Sequence, residues 1–154
     1  MKMRAAVLYE MGLPPPYAKS KPIKIEEIEL DPPGEEECLV KIRAAGLCHS
    51  DLSVVNGDRP RTMPIVVGHE AAGEIVEVGK GVKEFKPGDH VAMVFVPSCG
   101  ECIPCSEGRP ALCEPGVAAN VAGTLLSGGR RMRKGSTVLN HQVGVSVYAE
   151  YSVC

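Results

Sequence analysis

The sequence has no tryptophan, two phenylalanines and four tyrosines, so aromatic residues occupy only 4% of its 154 positions. Its core must therefore be built mainly from Val, Ile, Leu and Ala. No apolar run approaches the ~20 residues that a membrane-spanning helix needs, so no membrane partner is indicated. The apolar run after Met1-Lys2-Met3-Arg4 ends at Glu10, too short for a signal peptide. Neither sign of charge dominates. With 17 basic and 19 acidic residues the formal net charge is -2, and no nucleic-acid partner is indicated either. A glycine-rich dinucleotide turn is also missing: Gly79-Lys80-Gly81 runs into Val82-Lys83-Glu84, and Gly128-Gly129 runs into arginines.

What is abundant is punctuation. There are 17 glycines and 13 prolines, and between them lie short β-type runs. Residues 3–9, 24–30, 38–45, 74–78, 90–96 and 145–153 read as strands. The second alternates apolar and charged residues with one slip of phase, which predicts a β-bulge. The run over 90–96 reads as a buried strand. Helical signal is scarce. The best candidate begins near Cys48, with Ser50 or Asp51 as N-cap and Leu52, Val54 and Val55 following. This pattern predicts a mainly β domain, a barrel or a sandwich. The segment 114–144 is the least regular. It is glycine-rich, and its basic residues Arg130, Arg131, Arg133 and Lys134 read as a solvated surface.

Seven cysteines make an awkward disulfide framework. In the absence of a secretory signal, a reducing cytoplasm is the expected location, where clustered thiols hold metal. Cys99-x2-Cys102-x2-Cys105-x7-Cys113 is the sharpest chemical signal, within a loop spanning 97–116. Zinc takes four ligands at tetrahedral corners, and short spacers let a loop curl its sulfurs toward one ion. Four thiolates leave no open position, so such a site is structural. Disulfides would require an oxidising compartment. Iron–sulfur clusters also use cysteine runs, but the long final gap and the lack of a second cluster motif argue against one.

A second constellation is more dispersed. Gly46-Leu47-Cys48-His49-Ser50-Asp51 precedes Gly68-His69-Glu70. Cys48 at a helix start favours a thiolate, Gly68 lets the backbone approach closely before His69, and Asp51 is a candidate acceptor for the imidazole N–H. Two or three ligands rather than four fit an open, catalytic position. The blander reading of each residue alone is a small core thiol and a satisfied structural histidine.

Gly68-His69-Glu70-x2-Gly73-x5-Gly79-x2-Val82 resembles the signature of zinc-dependent medium-chain alcohol dehydrogenases. The Gly46-x-Cys48-x-Ser50-Asp51 segment, the cysteine loop and Tyr148-Ala149-Glu150-Tyr151 match the same family in order and spacing. The segment 114–144 resembles the family's long-loop members, such as the vertebrate-liver-like and formaldehyde-oxidising classes.

The resemblance implies a GroES-like β-barrel with a few short helices and a structural-zinc loop. It implies Cys48 and His69 as catalytic-zinc ligands, Glu70 as a neighbour able to approach the metal, Ser50 as the hydroxyl that takes the alcohol proton, His49 near the cofactor pyrophosphate, and Phe95 near the substrate pocket. Cys99, Cys102, Cys105 and Cys113 would hold the structural zinc. The family's third protein ligand, a later Cys or Asp, has no counterpart here; Cys38 and Cys154 read as ordinary thiols. Where some members carry a relay histidine, this chain has Ser53, read as a plain helix residue.

The expectation is one domain over 1–154, with the Rossmann cofactor domain absent. The activity expected of the complete enzyme is oxidation of a small alcohol to an aldehyde or ketone with NAD or NADP. The chain alone should be inactive, and self-association into a homo-oligomer is possible through its exposed apolar face near Cys48 and Phe95. The rival expectation is a freestanding, non-catalytic zinc-binding barrel.

Overall fold

A computed structural model describes residues 1–154. Strand β1 (Lys2–Leu8) runs antiparallel to β2 (Ile23–Leu30) across helix α1 (Tyr17–Ser20), with Lys2 opposite Glu29 and Leu8 opposite Ile23. This register is unbroken, so the expected bulge in β2 does not occur. Strict alternation turns Ile28 and Leu30 into the core and leaves Ile25 on the outer face, 70% exposed. The slip of phase is an apolar residue facing solvent.

β1 and β2 belong to a closed barrel in the order β1-β2-β7-β8-β4, made with β4 (Ile65–Val66), β7 (Met132–Lys134) and β8 (Thr137–His141). A second sheet, ordered β6-β5-β3-β9, is antiparallel throughout and comprises β3 (Cys38–Ala45), β5 (Ala71–Val78), β6 (His90–Met93) and β9 (Tyr151–Val153). Closure hides strand edges that would otherwise be open to pairing. The barrel interior is filled by aliphatic residues and methionines, including Met3, Val7, Ile28, Leu30, Met132 and Leu139. The two phenylalanines, Phe85 and Phe95, are both exposed, so the aromatic-poor core is aliphatic in fact. No helix is long and apolar enough to cross a membrane.

Three further sequence expectations change. The strand expected over 90–96 stops at Met93 and is not buried: it lies at the sheet edge, pairs only with β5, and buries Met93 alone, while Val94 and Phe95 are 66% and 56% exposed. The strand expected over 145–153 is reduced to β9. Val143, Val145 and Val147 are buried, but Val143 and Ser146 adopt left-handed φ of 47° and 48°, which breaks extended pairing.

The third change concerns 114–144, which is more ordered than its composition suggested. It carries α4 (Glu114–Ala122), with proline in its first turn and Gly123 ending it at φ 69°, followed by β7 and β8. Its basic residues are not simply solvated. Arg131 donates Nε to Glu37 Oε2 at 2.8 Å and Nη2 to Oε1 at 3.1 Å, and Glu37 is only 3% exposed. Arg133 pairs with Glu29 and Asp31, and Lys134 with Glu26. These pairs fasten β7 to β2. Burial works against the Glu37 carboxylate, but hydrogen bonds from Arg131, Ser127 and the Gly34 N–H outweigh it and hold its pKa below the usual range.

Candidate metal centres

Helix α2 (His49–Val55) presents the first centre. Its N-cap is Cys48, in extended conformation, rather than Ser50 or Asp51. Asp51 sits at the third helical position and its Oδ2 accepts the Cys48 N–H at 3.3 Å, so the carboxylate that closes the helix start also faces inward. Val54 and Val55 anchor the helix on Leu8, Ile65 and Val67. Ser53 Oγ donates to the His49 carbonyl at 3.3 Å, the bond of an ordinary helix residue.

His69 arrives from the other side, between β4 and β5. The preceding Gly68 has φ +97°, and a Cβ there would lie 2.5 Å from the Tyr148 ring, so only glycine brings the backbone this close. The imidazole is fixed by Asp51: Nδ1 lies 2.9 Å from Oδ1. With that nitrogen donating to the carboxylate, Nε2 keeps its lone pair toward the cleft. Ser50 Oγ lies 3.2 Å from both Cys48 Sγ and His69 Nε2. Glu70 Oε1 is 3.7 Å from Nε2. The donor atoms of Cys48, His69 and Glu70 all lie within 4.8 Å of one another. The Ser50 hydroxyl, its backbone N–H and His69 together lower the Cys48 thiol pKa.

Asp51 is nearly surrounded. Beyond His69 it accepts Gln142 Nε2 at 2.8 Å on Oδ1 and the Tyr148 hydroxyl at 2.6 Å on Oδ2. Gln142 also accepts the Gly68 N–H through Oε1 at 2.8 Å, so one side chain holds both the carboxylate and the peptide leading into His69. Burial and the bond to Asp51 raise the Tyr148 pKa, keeping it a donor. Neither Gln142 nor Tyr148 was singled out as a site residue from sequence. They lie 91 and 97 positions from Asp51, and no local spacing signals them.

Phe95 meets the His69 ring edge-on, with centroids 6.1 Å apart and planes at 85°. Ser50, His69, Phe95 and Val143 line one cleft together with Arg59 and Arg61, which the sequence reading also passed over. His49 is exposed in the first turn of α2 and does not line this cleft. Leu47, at 88% exposure, and Phe95 leave apolar surface open beside the centre.

The second centre is the cysteine loop. The sulfurs of Cys99, Cys102, Cys105 and Cys113 lie within 4.8 Å of one another, and all seven cysteines are free thiols. Two short helical starts aim them. Cys102 caps α3 (Ile103–Ser106), a 3-10 turn covers Pro110–Leu112, and Cys113 caps α4. The Gly116 N–H donates to Cys113 Sγ at 3.3 Å, and a Cβ at Gly116 would lie 2.0 Å from the Pro97 carbonyl oxygen, so the loop closes tightly on itself.

Backbone N–H groups of Cys102 and Glu101 hold the Cys99 thiol down, at about 7, whereas burial and the neighbouring thiols push Cys105 up to about 12. Crowded thiols oppose one another's ionisation, and a divalent cation among them removes that opposition. Thiols alone, in this number and proximity, fit a closed tetrahedral zinc site. Cys38 and Cys154 stand apart from both clusters, paired backbone to backbone at 2.7 and 3.0 Å.

The fold agrees with known proteins. Residues 34–154 match the family model described as alcohol dehydrogenase GroES-like domain. The NDMA-dependent alcohol dehydrogenase of Amycolatopsis methanolica is 48% identical over 137 residues, 89% of this chain and 34% of that protein. The S-(hydroxymethyl)glutathione dehydrogenase of Synechocystis is 40% identical over 154 residues, 99% of this chain and 40% of that protein. The crystal structure of an alcohol dehydrogenase zinc-binding domain protein from Burkholderia ambifaria superposes with a TM-score of 0.87 at 33% identity, covering 100% of this chain and 40% of that one. The chain therefore spans well under half the length of these relatives.

Proposed function

Since this chain belongs to the alcohol dehydrogenase GroES-like domain family, we propose that it is the zinc-binding catalytic part of an enzyme that oxidises small alcohols to aldehydes or ketones, with NAD or NADP as hydride acceptor. One observation carries the proposal: Ser50 Oγ lies 3.2 Å from both Cys48 Sγ and His69 Nε2, so a proton-carrying hydroxyl adjoins two zinc-type donors.

Cys48 and His69, with Glu70 in reach, would hold a catalytic zinc, which when bound supplies a Lewis acid that lowers the pKa of an alcohol. Ser50 Oγ accepts the alcohol proton and passes its own to water. Asp51 keeps His69 in the tautomer that offers Nε2, and Gln142 and Tyr148 keep Asp51 in place. Phe95 forms an apolar wall that orients the carbon losing hydride. His49, exposed in the first turn of α2, would meet a cofactor phosphate in the complete enzyme. Cys99, Cys102, Cys105 and Cys113 would hold the structural zinc over the loop 97–116.

Free thiols in both centres suit a reducing cytoplasm. The relatives are more than twice as long as this chain, and the fold that holds the nicotinamide would lie in the corresponding remainder of the complete enzyme. The chain by itself would therefore bind cofactor too weakly to turn over.

The test is a nicotinamide absorbance assay on the complete, zinc-loaded enzyme with short primary and secondary alcohols. Ser50→Ala should lower kcat on the order of 100-fold or more. Full zinc loading without turnover of any alcohol would sink the proposal.

A further inference from the structure

The cleft that holds Ser50, His69 and Phe95 is also lined by Arg59 and Arg61. They follow α2 directly, and the Arg59 N–H donates to the Ser53 carbonyl at 2.8 Å, which holds this turn against the helix. Their surroundings set them apart from the other arginines. Arg4, Arg43, Arg109, Arg131 and Arg133 each pair with a carboxylate, and Arg130 is bonded to Asn140 and the Ala122 carbonyl. Arg59 and Arg61 pair with no carboxylate. Arg61 donates Nη1 only to the Pro60 carbonyl, at 3.0 Å, and its Nε is buried with no partner. Burial, and then the charge of Arg59, lower the Arg61 pKa. Two neighbouring cations on one cleft wall, Arg59 exposed and Arg61 with a buried unmatched donor, favour an anion opposite them.

We propose that Arg59 and Arg61 form an anion subsite that selects alcohols bearing a carboxylate over neutral alcohols of the same length. This rests on the dehydrogenase reading above, with the reacting hydroxyl placed at Ser50 and His69. The anion is assigned to the substrate because the arginines share the cleft with Phe95 and Val143, the apolar lining expected beside a carbon chain. His49, the residue placed for a cofactor phosphate, lies outside that cleft. The planar guanidinium fork matches a carboxylate in two-point contact.

The experiment compares kcat/KM for 4-hydroxybutanoate and 1-butanol on the complete enzyme, in the parent protein, in Arg59→Gln, in Arg61→Gln and in the double variant. Each substitution should lower the ratio of hydroxybutanoate to butanol about tenfold, since a charge-assisted contact is lost. Arg59→Lys should recover part of it. Circular dichroism and Tm confirm that each variant is folded.

A folded double variant with an unmoved ratio overturns the subsite. So does a rise in cofactor KM with the ratio unmoved, which would assign the arginines to a cofactor phosphate. A separate titration follows butanoate binding by NMR. If no alcohol turns over but the double variant binds butanoate at least about tenfold more weakly, the dehydrogenase reading fails and the anion subsite stands. If no alcohol turns over and the double variant binds butanoate as the parent does, both fall.

Discussion

His69 Nδ1 and Asp51 Oδ1 lie 2.9 Å apart, 6% and 9% exposed as side chains, so the imidazole that faces the candidate catalytic centre is set by a buried carboxylate 18 positions earlier. Removing the charge from that carboxylate should loosen the ring and weaken its donor nitrogen. Asp51→Asn is expected to lower zinc affinity at this centre about 10–100-fold. Competition with a chromophoric chelator measures it. An affinity equal to the parent's would show that Asp51 does not act through His69.

The cysteine loop should behave independently. Cys105→Ser leaves three thiols where a closed site uses four, and should release about one zinc ion per chain while the Cys48–His69 centre keeps its own. Metal analysis under reducing conditions reads this directly. Unchanged stoichiometry would mean that the thiols do not share an ion.

Gly68 permits His69 to sit where it does. Its φ of +97° and the Tyr148 ring 2.5 Å from a would-be Cβ make alanine doubly unfavourable there. Gly68→Ala should cost at least about 2 kcal/mol in urea unfolding, or displace Tyr148 from Asp51. A variant as stable as the parent, with the Tyr148 resonances unmoved, would contradict the packing described.

Glu37 and Arg131 form the most enclosed pairing of a carboxylate with an arginine or lysine, with side-chain exposures of 4% and 29%. Breaking one side of a buried pair strands the other charge. Glu37→Ala is expected to cost about 3 kcal/mol, at the low end for buried pairs because Arg131 reaches partly to solvent. A loss under about 1 kcal/mol would place the pair with ordinary surface bridges.

His141 gives the fold a pH signature. Burial lowers its pKa from 6.5 to about 4, and it accepts the Arg131 N–H through Nε2 at 3.2 Å. The native state thus holds the ring neutral while the unfolded chain takes up a proton sooner. Stability from this group is fully present above pH 6.5, and falls as pH drops from 6.5 toward 4, by an amount on the order of 3 kcal/mol. In urea unfolding across this range, His141→Gln should show a shallower decline than the parent. Parallel curves would refute the assignment.

Much was legible without coordinates because it is local chemistry. Cysteines with two residues between them reach one point on a compact loop, and few ions other than zinc suit four thiolates. Short β-type runs between Gly and Pro imply a closed or layered sheet, since open edges are costly to leave unpaired. Strand ends were harder to read. Val143, Val145 and Val147 look like strand residues, and only the left-handed turns at Val143 and Ser146 show that they are core without being sheet. Helix α4 hid in a weakly amphipathic segment whose cue was a proline near its start and a glycine at its end.

The residues themselves determined which side chains could hold metal and that the fold is mainly β. Tertiary structure decided what surrounds them. Asp51 could be named as an acceptor for His69 from its position on α2, but Gln142 and Tyr148 reach it across 91 and 97 positions. Arg131, read as a solvated cation, meets Glu37 across 94 positions, and Arg59 and Arg61, left unread, share a cleft with Phe95. The reason is physical. Ligand spacing depends on a few bonds of nearby chain, whereas a hydrogen bond between distant segments exists only once barrel register and packing have fixed both ends.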